Sequence, residues 1–161
     1  MKRNLVSAMF LAVLFVSLNV DNIPMASASD GGGCSQASVA GDYGFTYSGV
    51  AIVSSGPVPV AAVGNFHTDA SGNVSGSEIN NLAGTAAYQT IVGTITVRQD
   101  CTGQLVAKVY QGRVLARTSY IHLQYEDNAN ELLGIFQKLV LPDNSLLPVV
   151  ITIDSKRVSH A

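Results

Sequence analysis

Apolar and polar residues alternate along most of the chain with a period of two, the pattern of half-buried β-strands. The clearest example covers residues 86–98, where Ile91, Ile95 and Val97 share one face. This stretch ends in the turn sequence Asp-Cys-Thr-Gly at residues 100–103. The same alternation predicts about eight strands, near residues 43–53, 60–69, 73–80, 86–98, 104–111, 114–125, 131–140 and 147–154.

The connections between the predicted strands are short and rich in Gly, Asn, Asp and Ser, which favour tight turns. No helical period interrupts them after the N-terminal leader. Repeated hairpins favour an antiparallel up-and-down barrel, because closing the sheet removes the exposed edge strands of an open one. We therefore predict an all-β fold with a single, roughly eight-stranded barrel, and we keep a β-sandwich as the alternative.

Each of the late strands has an apolar face, which we assign to the barrel interior. The assigned residues are Leu105, Ala107, Val109, Leu115, Ser119, Ile121, Leu123, Leu133, Ile135, Leu139, Leu147, Val149, Ile151 and Ile153. The opposite parity carries Lys108, Thr118, His122, Gln124 and Asp154, which we expect to face solvent.

The N-terminus has the three parts of a secretory signal peptide. Lys2 and Arg3 precede an apolar run from Leu5 to Val20, and Ala26-Ser27-Ala28 fits the cleavage rule. The run is shorter than the roughly 20 residues that cross a bilayer, so we predict no membrane span in the mature chain. The predicted organisation is a signal peptide at 1–28, a Gly-rich segment at 29–41 and a barrel domain at 42–157. Cleavage near Ala28 would give a secreted or periplasmic protein.

The chain has two cysteines, Cys34 and Cys101. In an exported protein the first interpretation is one disulfide bond, because oxidising compartments preserve such bonds. This bond would tie the Gly-rich segment to the turn at residues 100–103. The alternatives, a metal thiolate site or a catalytic cysteine, would need clustered partners that the sequence lacks.

Charge and motif content narrow the chemistry further. The formal net charge is −2 and no basic run is present, so we expect no nucleic-acid partner. The histidines are His67, His122 and His160. A zinc site would need them to converge with carboxylates at one end of the barrel, so we predict no metal site, and we predict no cofactor. A Gly-x-Ser-x-Gly elbow is also missing, and we predict no catalytic residue.

Three groups of short motifs stand out between residues 41 and 112. They are Gly41-x-Tyr43-Gly44-Phe45, then Val63-Gly64-x-Phe66 with Asp69-x-x-Gly72-Asn73-Val74-Ser75-Gly76, and finally Gly93-x-x-x-Val97-x-x-Asp100-Cys101-Thr102-Gly103. Together they resemble a family of small secreted bacterial proteins of unassigned function. The resemblance implies a barrel of the lipocalin or allene-oxide-cyclase type, and it implies no catalytic residues.

Arg117 is unusual because it shares the parity of Ser119 and its neighbours, which we assign to the interior. An unpaired guanidinium there would carry a large desolvation cost, so Arg117 needs a carboxylate, a barrel mouth or an anionic ligand. One interpretation places it at the mouth with its charge in water. The other makes Arg117, Tyr125, Tyr43 and Tyr47 the polar end of a ligand cavity.

Three functional classes are therefore open from the sequence. The first is a binding protein for a small apolar or anionic amphiphilic ligand, held in a cavity inside the barrel. The second is a structural or surface-interaction protein with a filled barrel. The third is a cyclase-type or isomerase-type enzyme that uses the same cavity. A cavity inside the barrel would favour the first and third classes, and the sequence gives no oligomeric state.

Overall fold

A computed structural model describes residues 33–158, which form one closed antiparallel barrel. Its strands are β1 (Gly41–Val53), β2 (Gly56–Thr68), β3 (Asn73–Leu82), β4 (Thr85–Val97), β5 (Thr102–Gln111), β6 (Val114–Glu126), β7 (Glu131–Val140) and β8 (Val149–Arg157). The predicted all-β barrel is confirmed. The β-sandwich alternative is wrong, because β1 pairs with both β2 and β8 and so closes the sheet. The predicted signal peptide and His160 lie outside the described residues.

The order of the connections gives the barrel two different ends. The loops β2–β3, β4–β5 and β6–β7 lie at one end, together with residues 33–40, and we call it the closed end. The loops β1–β2, β3–β4, β5–β6 and β7–β8 lie at the other end, which we call the mouth. Within residues 33–158 the one helical element is the short 3-10 turn Asp127–Ala129, and no helix there could cross a bilayer.

Residues 33–40 run across the closed end as a strap. Val39 is fully buried within the hydrophobic core. The Cys34–Cys101 disulfide joins the strap to the β4–β5 loop, so the predicted bond is confirmed. The Gln36 side chain also hydrogen-bonds the backbone of β4, donating to one carbonyl and accepting from one N–H group at 3.1 Å. Apolar packing, side-chain hydrogen bonds and one covalent bond therefore hold the strap across the closed end.

Local hydrogen bonds shape the β2–β3 hairpin that the sequence predicts. The Asp69 carboxylate accepts from the backbone N–H groups of Ser71 at 2.9 Å and of Asn73 at 2.8 Å. Hydrogen bonds from the side chain and backbone of Asn73 lower the pKa of Asp69. Gly72 adopts φ +84°, a conformation that favours glycine. This geometry sets the register of β3 against β2 and therefore which residues of β3 face the interior.

The predicted inward face of β7 is wrong in its first half. Leu133 and Ile135 are 39% and 47% exposed, whereas Phe136 is buried. The cause is a β-bulge, since the pairing of β6 with β7 skips Gln137. An extra residue reverses the alternation of inward and outward side chains. The inward face that holds for Leu139 is therefore wrong for Leu133 and Ile135, which lie before the bulge.

A second bulge lies where β5 meets β6. Val109 pairs with Arg117 and Tyr110 with Leu115, which leaves Ala116 without a partner on β5. Leu115, predicted to be fully inside, is only half-buried, and Ala116 instead lines the barrel lumen near the mouth. The bulge therefore changes which residues the start of β6 presents to the interior.

The substitutions Ile135→Val and Ile151→Val remove the same methylene group from opposite sides of the barrel wall. Ile151 is buried, so its loss of packing should lower the free energy of unfolding by about 1 kcal/mol. Ile135 is largely exposed, and its change should stay within about 0.5 kcal/mol. Urea unfolding of both variants would measure the difference. Equal losses would contradict the assigned faces of β7.

Candidate functional site

Five polar side chains meet inside the barrel, and we call them the interior polar cluster. They are Tyr47 on β1, Glu78 and Asn80 on β3, Gln89 on β4, and Arg117 on β6. The alternation of β3 sends Glu78 and Asn80 to the same inward face, and Glu78 lies directly opposite Gln89 on β4. Four strands therefore position the cluster, and the rigid barrel wall fixes its geometry.

The Arg117 guanidinium is the centre of the cluster. Its Nη1 donates to the Gln89 side-chain oxygen at 2.6 Å, and its Nη2 donates to the Tyr47 hydroxyl at 3.0 Å. Nη2 also donates to the Glu78 carboxylate, forming an ion pair. The side chains of Arg117 and Glu78 are only 12% and 2% exposed. Of the three environments expected for an interior arginine, the structure therefore provides a carboxylate partner.

The Tyr47 hydroxyl links the ion pair to the rest of the cluster. It donates to the Glu78 carboxylate at 3.2 Å and accepts from the Asn80 side-chain amide at 2.6 Å. Burial raises the pKa of Tyr47 from 10.0 to about 12, although the nearby Arg117 charge acts in the opposite direction. Tyr47 is thus a neutral phenol that both donates and accepts.

Replacing Tyr47 with Phe should lower the free energy of unfolding by about 1 to 3 kcal/mol, because the buried partners of the hydroxyl lose their hydrogen bonds. The loss should depend on pH. Since the folded-state pKa is raised, the wild-type contribution is complete below pH 10 and declines as the pH rises toward 12. The wild-type and variant stabilities should therefore converge as the pH rises from 10 to about 12. A difference that stays constant with pH would contradict this.

A cavity of about 180 Å³ opens between the interior polar cluster and the mouth. Its side walls are apolar, and the end that faces the interior polar cluster is polar. The apolar lining comprises Ala51, Val60, Leu82, Ala116, Phe136, Leu139, Leu141, Leu147, Val149 and Ile151, and the polar lining comprises Tyr47, Asn80, Gln89 and Arg117. The β7–β8 loop contributes Leu141 and Leu147, so part of the wall lies outside the strands. We call this space the mouth cavity.

The barrel is nearly filled on the other side of the cluster. A second cavity there has a volume of only about 30 Å³, room for about one water molecule. Aromatic packing fills the remainder: the rings of Tyr43 and Phe66 stack at 5.1 Å, and Phe45 lies 6.0 Å from Phe66. The interior is therefore filled toward the closed end and hollow toward the mouth.

The structure divides the four predicted ligand residues into two groups. Arg117 and Tyr47 are in contact beside the mouth cavity. Tyr43 and Tyr125 lie toward the closed end, where the Tyr43 hydroxyl is 2.9 Å from the Val39 carbonyl and accepts from Arg157 at 2.9 Å. Burial raises the pKa of Tyr125, and its hydroxyl has no hydrogen-bond partner among the described residues. The hydrogen bonds of Tyr43 tie the strap and β8 together at the closed end.

Glu78, Asn80 and Gln89 were not predicted from the sequence. Gln89 has the same parity as Ile91, and Glu78 and Asn80 have the same parity as Val74, a buried residue at the start of β3. A carboxylate and two amides on inward positions were therefore detectable. The pattern was hidden because Ile79, the large aliphatic residue near the end of β3, faces outward.

The described histidines lie outside this site. His67 pairs with Asp42 at 2.9 Å on the surface, and His122 is a half-buried residue of β6. Within residues 33–158, no group of three or more His, Cys, Asp or Glu side chains is arranged to hold a metal ion. The mouth cavity and the interior polar cluster are therefore the candidate functional site.

Comparisons with known proteins identify a structural similarity but no family. No protein-family model matches the chain, and no curated protein matches it. Among solved structures, the chain is similar to an S-type phycobiliprotein lyase from Guillardia theta, with 8% sequence identity and a TM-score of 0.44. The match covers 77% of this chain and 90% of the lyase chain. The resemblance to the secreted bacterial family stays a prediction.

Proposed function

We propose that this protein is an exported β-barrel that binds a small apolar or amphiphilic ligand in the mouth cavity. The observation that carries the proposal is the combination of apolar walls with a few convergent polar groups at one end of the same cavity. Such a combination is typical of small-molecule sites, where the walls provide affinity and the polar groups provide orientation. The ligand would enter through the mouth with its polar end first.

The volume of the mouth cavity limits the size of the enclosed part of the ligand. An engineered cavity of about 150 Å³ binds benzene. The mouth cavity, at about 180 Å³, therefore suits a single ring or a short branched chain. A longer ligand would leave its remaining part outside the mouth.

Export is part of the proposal and rests on two features. The N-terminal sequence has the pattern of a signal peptide, and the only two cysteines of the chain form a disulfide bond. A secreted or periplasmic binding protein would meet its ligand outside the cytoplasm.

Filling the mouth cavity should abolish binding, and Ala51→Leu does this from β1. Ala61→Leu is the matched control, since Ala61 lies on the outer face of β2. Benzyl alcohol, followed by NMR titration of the ¹⁵N-labelled protein, is a suitable probe. We expect saturable shifts at Leu139, Leu147 and Val149 in the wild type and in Ala61→Leu, and none in Ala51→Leu. Absence of saturable shifts in the wild type, or their persistence in Ala51→Leu, would contradict the proposal.

A surface-interaction role is the second candidate, and one exposed feature favours it. Val63, Ile79 and Tyr88 are exposed and lie opposite one another across β2, β3 and β4. The outward positions of these three strands carry no Lys, Arg, Asp or Glu. An uncharged apolar row can pair with the same row of a second copy. Concentration-dependent association that Ile79→Lys abolishes, measured by sedimentation velocity, would support this role, and a monomer at all concentrations would exclude such pairing.

A further inference from the structure

The hydrogen-bond directions within the interior polar cluster are fixed by its two charged members. An arginine can only donate and an ionised carboxylate can only accept. The Tyr47 hydroxyl contacts both Arg117 and Glu78, so it must accept from Arg117 and give its single proton to Glu78. One acceptor position of the hydroxyl then remains, and it is occupied by Asn80.

These directions determine the orientation of both side-chain amides. Asn80 must present its NH₂ group to the Tyr47 oxygen, because the only proton of the hydroxyl is already used. Gln89 must present its oxygen to Arg117, because Arg117 has no acceptor. The carbonyl oxygen of Asn80 and the NH₂ group of Gln89 are therefore left to bond with something else.

Both of these remaining groups have access to the mouth cavity. Asn80 and Gln89 both line this cavity. Among residues 33–158, several side-chain polar atoms are fully buried without a hydrogen-bond partner, and none of them belongs to Asn80 or Gln89. Because Glu78 lies opposite Gln89, Asn80 is the diagonal neighbour of Gln89 on the adjacent strand. Such neighbours on one face of a sheet are within reach of a common polar group.

The cluster offers little attraction for an anion. The positive charge of Arg117 is paired with the carboxylate of Glu78, and three of its five N–H groups donate to Glu78, Tyr47 and Gln89. A ligand carboxylate would lose its hydration and meet a neutral ion pair instead of an uncompensated cation. Beside this paired charge, the polar surface that a ligand meets therefore presents a neutral donor on Gln89 next to a neutral acceptor on Asn80.

From this arrangement we infer that the ligand has an uncharged head group with both an N–H donor and a carbonyl acceptor, as in a primary amide or a lactam. The ligand carbonyl accepts from the Gln89 NH₂ group, and the ligand N–H donates to the Asn80 carbonyl. The inference rests on the proposed binding function and adds the chemical class of the head group.

A panel of three probes with the same aromatic ring tests the head group. Benzamide has a donor and an acceptor, acetophenone has an acceptor only, and benzoate is an anion at pH 7. We expect NMR titrations to give a dissociation constant for benzamide at least about tenfold below those of the other two, because an unpaired buried polar group is costly. The side-chain NH₂ signals of Gln89 should shift with benzamide.

The variant Gln89→Glu replaces the donor with an acceptor while keeping an oxygen for Arg117. Its affinity for benzamide should fall at least about tenfold. The control Gln104→Glu makes the same change on the outer surface of β5 and should have no effect. Unchanged benzamide binding in folded Gln89→Glu would contradict the role of Gln89.

The probe ranking in the wild type does not depend on any variant folding. Equal binding of the three probes, or tighter binding of benzoate, would overturn the amide assignment and leave the proposed binding function intact. Failure of all three probes, together with failure of benzyl alcohol, would overturn both. Tightest binding of benzamide, together with benzyl alcohol binding at the same residues of the mouth cavity, would support both the amide assignment and the proposed binding function.

Discussion

Replacing Arg117 with Met is expected to lower the free energy of unfolding by about 3 to 5 kcal/mol, because it leaves the Glu78 carboxylate buried without a cation. The variant Glu78→Met should cost a similar amount, since it leaves the guanidinium without its anion. The double variant should lie closer to wild type than either single variant, because an apolar pair avoids the desolvation of both charges. Urea unfolding of the four proteins would measure this cycle.

The ion pair of Lys156 and Glu131, 3.2 Å apart on the surface, provides the matched control. Its coupling should be no more than about 1 kcal/mol. Additive losses in the Arg117 and Glu78 cycle would contradict a direct buried interaction.

Loss of the disulfide should have the second of the two largest effects. Cys34 and Cys101 are separated by 67 residues, and the chain-entropy model gives such a bond about 4 kcal/mol of stability. Reduction of the wild type and the double variant Cys34→Ser/Cys101→Ser should both show this loss in urea unfolding. Far-ultraviolet circular dichroism should still report a β-structure, because both cysteines lie outside the eight strands that pair to close the barrel.

The position of the disulfide predicts which properties its loss should spare. The bond fastens the strap at the closed end, whereas the mouth cavity lies beyond the interior polar cluster. Hydrogen exchange at Val39 should therefore increase on reduction, while benzyl alcohol binding at Leu147 should not change. If reduction abolished the NMR shifts that benzyl alcohol causes at the mouth cavity, this result would contradict the independence of the two ends.

Much of the fold could be predicted from the sequence because each strand carries its own period of two. The prediction failed at Ile135 for a local reason: the bulge at Gln137 inserts one residue, and no residue type marks its place. The connection order needed no long-range information, since every neighbouring pair of strands except β1 and β8 is joined by a short turn or loop.

The candidate site was only partly predictable, and the barrel geometry explains the difference. Arg117 was detectable because a charge on an apolar face stands out. Its partner Glu78 lies on β3, which is not a neighbour of β6, so their contact across the lumen depends on how the barrel closes. Tyr43 and Tyr125 share the inward parity but lie near the closed end, because parity gives the face of a strand and not the height within the barrel.

The most direct test of the proposed site is to locate a bound probe by intermolecular nuclear Overhauser effects. With benzyl alcohol and methyl-labelled protein, we expect contacts from the ring to the methyl groups of Leu139, Leu147 and Val149, which line the mouth cavity. Contacts confined to Val63 and Ile79 on the outer face, or no contact to the mouth cavity at saturating probe, would contradict a ligand site inside the barrel.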